Sequence, residues 1–333
     1  MKNIIIPTCI LLFIILLSSC GSNNKVASVD SQSEIPTVQS TPMYGVLVKE
    51  DIIYAQGLSH ESINSESAQL LPLKLDVYTP DNTSDNRPAF VFIHGGGFAG
   101  GSKQQGRIIE WANYYTSRGW VFISLDYRLK RDKGTVPQQW LDYAVNIPKN
   151  KAAQFLAIYP AQRDAKAALR WLVSNANTYK INTNFITVGG GSAGAITAIT
   201  LGISNQEDFR DEIYGKQDPT LATTHLDQAY KIQTIVDLWG SKLALDVMEQ
   251  IYGHQRFDSD DPALFIAHGT EDPTVPFSKA EELKTIYETN KVPLAYYPLE
   301  GKGHGAWGAT VNDKDLAELA FEFIVQQQGI NLE

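Results

Sequence analysis

One serine stands in the middle of the turn Gly190-Gly191-Ser192-Ala193-Gly194, where its hydroxyl could act as a nucleophile. The apolar run 185–188 precedes this turn and the run 195–199 follows it, and they predict a strand and a helix. A serine hydroxyl is a weak nucleophile until it is held clear of the backbone and next to a base. A sharp strand-to-helix turn holds it in this way, and glycines let the two elements approach closely. The pattern alone also fits a glycine-rich turn with a capping serine, so the rest of the chain must decide.

Three other stretches with reactive or hydrogen-bonding groups also follow predicted strands. They are His94-Gly95-Gly96-Gly97-Phe98, His268-Gly269-Thr270-Glu271-Asp272 and Gly303-His304-Gly305. In open parallel sheets, functional residues lie at the carboxyl ends of the strands. We therefore expect these stretches and Ser192 to lie together at one edge of a sheet.

Predicted strands and helices alternate along most of the chain, after a short start made of strands only. The runs 89–93 and 263–267 are continuously apolar, and 120–125 is apolar except for Ser124, which is typical of strands that are covered on both faces. Helices are predicted over 106–118, 161–175, 278–289 and 313–327. This alternation predicts an α/β fold in which a mostly parallel central sheet carries helices on both faces.

Two irregular stretches, 130–160 and 205–231, interrupt this alternation. We interpret them as loop insertions over the site rather than as a large cap domain. The first is rich in aromatic residues, which could line an acyl or sugar pocket or pack into the core: Trp140, Tyr143, Phe155 and Tyr159.

From about Leu71 to the C-terminus, the chain resembles the α/β-hydrolase superfamily, and within it the esterases and lipases with His-Gly-Gly-Gly and Gly-x-Ser-x-Gly motifs. The chain order of serine, acid and histidine matches that family. The resemblance implies an α/β-hydrolase fold and a carboxylesterase or carbohydrate-esterase-like activity. Two positions depart from the hormone-sensitive-lipase-like branch, because Gly191 stands where aspartate is usual and Ala195 where glycine is commoner. These departures favour the looser group that includes carbohydrate-ester and feruloyl-type esterases.

The resemblance also implies a catalytic triad. Ser192 would be the nucleophile, and His304 would take its proton and later return it to the leaving alcohol. Asp272 would orient the His304 ring and stabilise its cationic form. From the sequence alone, Glu271 and Asp237 remain alternative candidates for the acid, because each also stands at the end of a predicted strand.

By the same resemblance, the oxyanion hole would consist of the backbone N–H groups of Gly96, Gly97 and Ala193. His94 would brace the oxyanion loop. Asp126 and Arg128 are predicted to form a pair that braces a neighbouring loop.

The sequence therefore predicts a serine esterase that hydrolyses carboxylic esters through an acyl-enzyme. Candidate substrates are small-molecule or polysaccharide esters with short acyl, acetyl or feruloyl groups. Two alternatives remain: a peptidase or amidase of the same fold, and a non-catalytic binding protein.

Charge and motif content exclude several other functions. The 333 residues carry a formal net charge of −9, whereas nucleic-acid binding needs clustered lysine and arginine. The chain lacks both the His-x-x-x-His metal spacing and the Gly-x-x-x-x-Gly-Lys phosphate loop. We therefore predict no metal, no cofactor and no nucleic-acid partner, while the oligomeric state stays open.

The N-terminus predicts export. Lys2 precedes an apolar run from Ile4 to Leu17, and Leu17-Ser18-Ser19-Cys20 resembles the lipobox of bacterial lipoproteins. This predicts a signal peptide over 1–19, lipidation of Cys20, a flexible tether over 20–42 and one α/β-hydrolase domain over 43–333. The protein would then be exported and attached to a bacterial membrane by its lipid only, at the outer membrane or facing the periplasm. A plain signal peptide and an uncleaved anchor are the alternatives.

Overall fold

The computed structural model describes residues 34–213 and 215–333. The predicted signal peptide, Cys20 and residues 20–33 of the predicted tether lie outside these described residues. Among the helices of the described part, none has the length and apolar character needed to cross a membrane.

The core of the molecule is an eight-stranded sheet. The described strands are β1 (Thr37–Val38), β2 (Val46–His60), β3 (Ala68–Pro80), β4 (Arg87–Ile93), β5 (Val121–Leu125), β6 (Ile181–Gly191), β7 (Thr234–Leu238), β8 (Ala263–Gly269), β9 (Leu294–Leu299), β10 (Thr310–Val311), β11 (Lys314–Asp315) and β12 (Asn331–Leu332). The order of strands in the sheet is β2-β3-β5-β4-β6-β7-β8-β9. Strand β3 pairs antiparallel with β2 and β5, and the pairs from β5 to β9 are parallel. The predicted mostly parallel sheet is confirmed.

Helices cover both faces of this sheet. They are α1 (Gly106–Thr116), α2 (Gln138–Ala144), α3 (Lys149–Leu156), α4 (Ile158–Ser174), α5 (Ala176–Tyr179), α6 (Ala193–Ile203), α7 (Leu243–Tyr252), α8 (Ser278–Asn290) and α9 (Leu316–Gln328), with a short 3-10 helix at Pro219–Thr223. Side chains of α4, α6, α7 and α8 belong to one apolar cluster, and those of α1 and α9 belong to a second cluster on the opposite face. The predicted α/β architecture is therefore the observed one.

The side chains of strand β4 contribute to both apolar clusters. All seven of its residues are buried. Because successive side chains of a strand point to opposite faces, Val91 and Ile93 enter the first cluster while Phe90 and Phe92 enter the second. A continuous apolar run is therefore required here.

The stretch 130–160 is more regular than its sequence suggested, because α2, α3 and the start of α4 lie in it. Pro137 and Pro148 precede α2 and α3 at their N-cap positions, where the missing N–H costs little. Trp140 and Tyr159 are fully buried and pack edge-to-face. Trp140 and Tyr159 therefore pack into the core and do not line an acyl or sugar pocket.

The folded region begins earlier than the predicted boundary at residue 43. Val38 is completely buried in the cluster on the α9 face, and β1 pairs in parallel with β12 near the C-terminus. The backbone N–H of Gln39 also donates to the carbonyl of Arg118. The end of the predicted tether is thus part of the domain, held by a two-residue strand that is too short to show a sequence period.

Candidate active site

The turn that carries Ser192 joins β6 directly to α6. Ser192 has φ 57° and ψ −120°, a conformation that is costly for a residue with a Cβ. A Cβ on Gly194 would come within 2.0 Å of the carbonyl oxygen of Ile93, and one on Gly190 within 2.5 Å of the Gly194 carbonyl carbon. Both glycines are therefore required for strand and helix to approach, and the hydroxyl is presented at the tip of the turn.

Three of the predicted site residues meet in one hydrogen-bonded chain. The Nε2 atom of His304 lies 2.9 Å from the Oγ atom of Ser192, and its Nδ1 atom lies 2.7 Å from Oδ2 of Asp272. Because a carboxylate only accepts, Nδ1 carries the proton, and Nε2 is free to accept from the serine hydroxyl. This is the geometry that a nucleophile, a base and an orienting acid need.

The surroundings of Asp272 keep its carboxyl group charged. Its Oδ1 atom accepts hydrogen bonds from the backbone N–H groups of Thr274 and Val275, at 2.8 and 3.0 Å. Burial by itself would raise the pKa of Asp272, but the bonds from His304, Thr274 and Val275 outweigh burial and hold that pKa below its ordinary value. A charged carboxylate beside Nδ1 would stabilise the His304 ring if the ring took up a second proton.

Neither alternative acid bonds to His304 within the described part of the chain. Glu271 is exposed, and its backbone N–H donates to the carbonyl of Lys302. Asp237 accepts a hydrogen bond from Gly240 instead, and burial raises its pKa to about 7. Asp272 is therefore the acid that the geometry favours.

The glycine-rich loop after β4 lies against the turn that carries Ser192. A Cβ on Gly95 would come within 2.7 Å of the Gly191 carbonyl oxygen and 3.4 Å of the Ser192 Cβ. Gly96 and Gly97 both have positive φ, at 118° and 61°. This conformation brings the predicted oxyanion loop next to Ser192.

His94 fixes the orientation of one predicted donor. Its Nδ1 atom lies 2.8 Å from the carbonyl oxygen of Gly95, and its ring stacks on Tyr127 with centroids 4.2 Å apart. The Tyr127 hydroxyl donates to the His94 carbonyl. Because the C=O and N–H of a peptide unit are antiparallel, holding the Gly95 carbonyl also sets the direction of the Gly96 N–H. Burial lowers the pKa of His94, which favours the neutral ring.

The next two peptide units of the loop are held in a similar way. The Gly96 carbonyl accepts from the N–H groups of Ala99 and Gly100, at 3.0 and 3.1 Å, which fixes the Gly97 N–H. The Gly97 carbonyl accepts from the side-chain amide of Gln154 in α3, at 2.6 Å. Helix α3 is thus attached directly to the predicted oxyanion loop.

This attachment makes Gln154 a positioning residue whose loss should slow catalysis. We expect Gln154→Ala to lower kcat about tenfold with little change in KM, because loosening the loop costs less than removing an oxyanion donor. Steady-state kinetics on a p-nitrophenyl ester would measure the effect. Lys151→Ala, an exposed position on the same helix, is the matched control. An unchanged kcat in Gln154→Ala would show that the loop does not depend on α3.

Asp126 and Arg128 do not pair with each other, so that prediction is wrong. The Oδ1 atom of Asp126 accepts from the backbone N–H of Lys103 and lies 3.7 Å from His94. The Arg128 guanidinium instead forms a buried ion pair with Asp164 of α4. Each residue therefore braces a different part of the chain, Asp126 through the backbone of Lys103 and Arg128 through the carboxylate of Asp164.

Two tryptophans that the sequence did not single out also contact the turn. A Cβ on Gly191 would come within 3.0 Å of the Trp307 ring and 3.3 Å of the Trp239 ring. The two rings pack edge-to-face at 4.9 Å, and Trp239 lies 6.4 Å from the His304 ring. A side chain at position 191 would therefore crowd both tryptophan rings, which favours glycine there. The available signal was the position of Trp307 in the loop that carries His304.

Within residues 34–213 and 215–333, no group of three or more His, Cys, Asp and Glu side chains is arranged to hold a metal ion.

Comparison with known proteins places this fold among esterases. The chain is 22% identical over 306 residues to esterase LipC of Mycobacterium tuberculosis, covering 84% of this chain and 67% of LipC. It is 22% identical to a probable isoprenylcysteine alpha-carbonyl methylesterase of Oryza sativa, of which it spans 55%. The propionate-bound esterase Est2 of Thermogutta terrifontis shares the fold, with a TM-score of 0.58 and 22% identity over 85% of this chain and 94% of that one.

Fold and relatives together define a carboxylic ester hydrolase with the α/β-hydrolase fold. The BD-FAE family model matches residues 75–155 and 140–256, which together span more than half of the chain. The chain therefore belongs to the BD-FAE family.

Proposed function

We propose that the protein is a serine esterase that cleaves carboxylic esters through an acyl-enzyme. The observation that supports this proposal most strongly is the hydrogen-bonded chain from Ser192 through His304 to Asp272, with distances of 2.9 and 2.7 Å. The three residues come from three different strand ends. A non-catalytic binding protein would not need them in this arrangement.

Acylation begins when the Ser192 Oγ atom attacks the ester carbonyl carbon and His304 takes the hydroxyl proton. The carbonyl oxygen gains negative charge and accepts hydrogen bonds from the N–H groups of Gly96, Gly97 and Ala193. His304 then donates its proton to the leaving oxygen, the C–O bond breaks, and the alcohol departs. Ser192 is left as an ester of the acyl group.

Deacylation repeats these steps with water. His304 takes a proton from a water molecule, whose oxygen attacks the acyl carbon of the Ser192 ester. The same N–H groups stabilise the second oxyanion. Return of the proton to Oγ releases the carboxylic acid and restores the free enzyme.

We propose short acyl esters of carbohydrate alcohols as substrates. Est2 structures exist with bound propionate and with bound butyrate, which are short carboxylates that match the acid product of such esters. That feruloyl esters on carbohydrate are also substrates stays a prediction from the sequence. The peptidase or amidase alternative is tested by assaying a set of amide substrates.

The wild-type protein is expected to hydrolyse p-nitrophenyl acetate and butyrate, and Ser192→Ala is expected to lower kcat by about 10⁵-fold or more. Parallel assays with feruloyl esters and p-nitroanilides would separate the candidate substrates. Full activity in Ser192→Ala would contradict the serine mechanism. Faster cleavage of anilides than of esters would favour the amidase alternative.

We also propose, from the sequence alone, that the protein is exported and attached to a bacterial membrane through a lipid on Cys20. Partitioning into a detergent phase is expected for the wild-type protein and not for Cys20→Ser. Equal partitioning of both proteins would contradict the anchor.

A further inference from the structure

A second histidine contacts the carboxylate of Asp272. The ring of His268, in β8, has its Nε2 atom 3.3 Å from Oδ2 of Asp272, and the same oxygen lies 2.7 Å from Nδ1 of His304. The side chains of His268 and Asp272 are both completely buried. The reaction steps proposed above give this second ring no part, so its role needs a separate explanation.

The surroundings of the His268 ring fix which nitrogen carries the proton. Nε2 lies 2.9 Å from the carbonyl oxygen of Val275, and a carbonyl oxygen only accepts hydrogen bonds, so the proton is on Nε2. Nδ1 is buried, and no group in the described part of the chain bonds to it. A proton on Nδ1 would be a buried donor without an acceptor, which is costly. Burial also lowers the pKa of His268, which favours the neutral ring.

The single Nε2 proton of His268 therefore faces two oxygens. It is donated to the Val275 carbonyl, and it is also attracted by the negative charge of Oδ2 of Asp272. Oδ1 of the same carboxylate accepts from the backbone N–H groups of Thr274 and Val275. With Nδ1 of His304, four N–H groups surround the carboxylate, two at each oxygen, and together they fix its rotation.

His268 stands on a rigid element, whereas Asp272 does not. Strand β8 pairs with β7 on one side and with β9 on the other, and the Phe277 ring packs edge-to-face on the His268 ring at 6.0 Å. Asp272 lies beyond the end of β8, in a segment without helix or strand. Side chains held by a strand are more precisely placed than side chains on a loop, so His268 can set the position of the loop.

We propose that His268 is a positioning residue for the triad. Its Nε2–H holds the Val275 carbonyl and the Asp272 carboxylate together, so that Oδ2 faces Nδ1 of His304. The proposal rests on the esterase function proposed above, to which it adds a fourth, fully buried side chain.

Two substitutions of similar size separate the effect of this N–H from the effect of the space that the ring fills. Glutamine can place an amide N–H near the position of Nε2, whereas methionine has a similar length and no donor. We expect His268→Met to lower kcat on p-nitrophenyl acetate about tenfold and to change KM less than about twofold, because it disturbs the orientation of reacting groups and not the binding of substrate. His268→Gln should recover most of the wild-type kcat.

His60→Met is the matched control, because it makes the same change at another buried histidine. The two ring nitrogens of His60 bond to the Ser65 carbonyl and the Thr135 hydroxyl, at 2.8 and 2.9 Å. This variant should lower the melting temperature and keep the wild-type kcat. A wild-type kcat in folded His268→Met, or equal losses in folded His268→Met and His268→Gln, would overturn the proposal.

Thermal unfolding shows whether each variant folds. If His268→Met does not fold, His268→Asn takes its place in the same comparison. The asparagine amide ends short of the Nε2 position, so we expect the same loss of kcat as for methionine.

Proton NMR gives a readout that does not depend on turnover. The Nδ1–H of His304 should give a downfield signal in the wild-type protein and in His268→Gln, because it is held against a carboxylate. His304→Ala assigns this signal by its absence, and His268→Met should lose or broaden it. If the wild-type protein cleaves no ester but shows this pattern, the esterase proposal fails and the positioning role of His268 stands. An unchanged signal in His268→Met would overturn that role, whatever the activity.

Discussion

Asp272→Asn is expected to lower kcat by about 10⁴-fold while leaving the fold intact. The Oδ1 position accepts two backbone N–H groups, from Thr274 and Val275, so the asparagine oxygen must occupy it. The asparagine NH2 group then faces His304 Nδ1, which can no longer donate. The ring adopts the other tautomer, with the proton on Nε2, and cannot accept the proton of Ser192.

Kinetics and thermal unfolding of Asp272→Asn would be measured together, and an unchanged melting temperature is expected. Glu271→Gln is the matched control, because it alters the neighbouring exposed carboxylate and should keep the wild-type kcat. If Glu271→Gln lost as much activity as Asp272→Asn, the assignment of the acid would be wrong. A nearly active Asp272→Asn variant would contradict it equally.

Asp164→Ala is expected to lower the free energy of unfolding by about 3–5 kcal/mol. Arg128 and Asp164 are both buried, and the guanidinium Nε and Nη2 atoms donate to the carboxylate at 2.9 and 2.6 Å. Asp164 also accepts the backbone N–H of Arg128. Without Asp164, the buried guanidinium retains the carboxylate of Asp218, at 3.7 Å, and the carbonyl of Leu58, at 3.3 Å.

Urea unfolding monitored by circular dichroism would measure this loss. The matched control is Glu288→Ala, which removes the solvent-exposed ion pair with Lys284 and should cost less than about 1 kcal/mol. Equal destabilisation by the two variants would show that burial does not increase the contribution of the Arg128–Asp164 pair to the free energy of unfolding. Adding Arg128→Met to Asp164→Ala should recover part of the loss, because the unpaired charge is then removed.

The sequence predicted that Ser192, Asp272 and His304 lie together, because each of them stands at the end of a predicted strand. Ser192, Asp272 and His304 each follow an apolar run, and parallel strands bring their carboxyl ends to one edge. The glycines on either side of Ser192 also indicated a tight turn between strand and helix, because only a residue without a Cβ permits such close contact. Their catalytic roles stay predictions until they are tested.

Other features depend on contacts between distant segments, which a single sequence does not reveal. The bond from Gln154 to the Gly97 carbonyl joins helix α3 to the loop after β4, and the packing of Trp307 on Gly191 joins two strand ends. The pairing of β1 with β12 joins the two ends of the described domain through strands of only two residues each.

Covalent labelling with a fluorophosphonate probe tests the central claim most directly, because the probe reacts with a serine that is activated by a neighbouring base. Mass spectrometry of the treated wild-type protein should show one adduct per chain, on the peptide that contains Ser192. Ser192→Ala should show no adduct, and His304→Ala should react far more slowly. An adduct at another residue, or an unmodified wild-type protein, would contradict the assignment of Ser192 as the nucleophile.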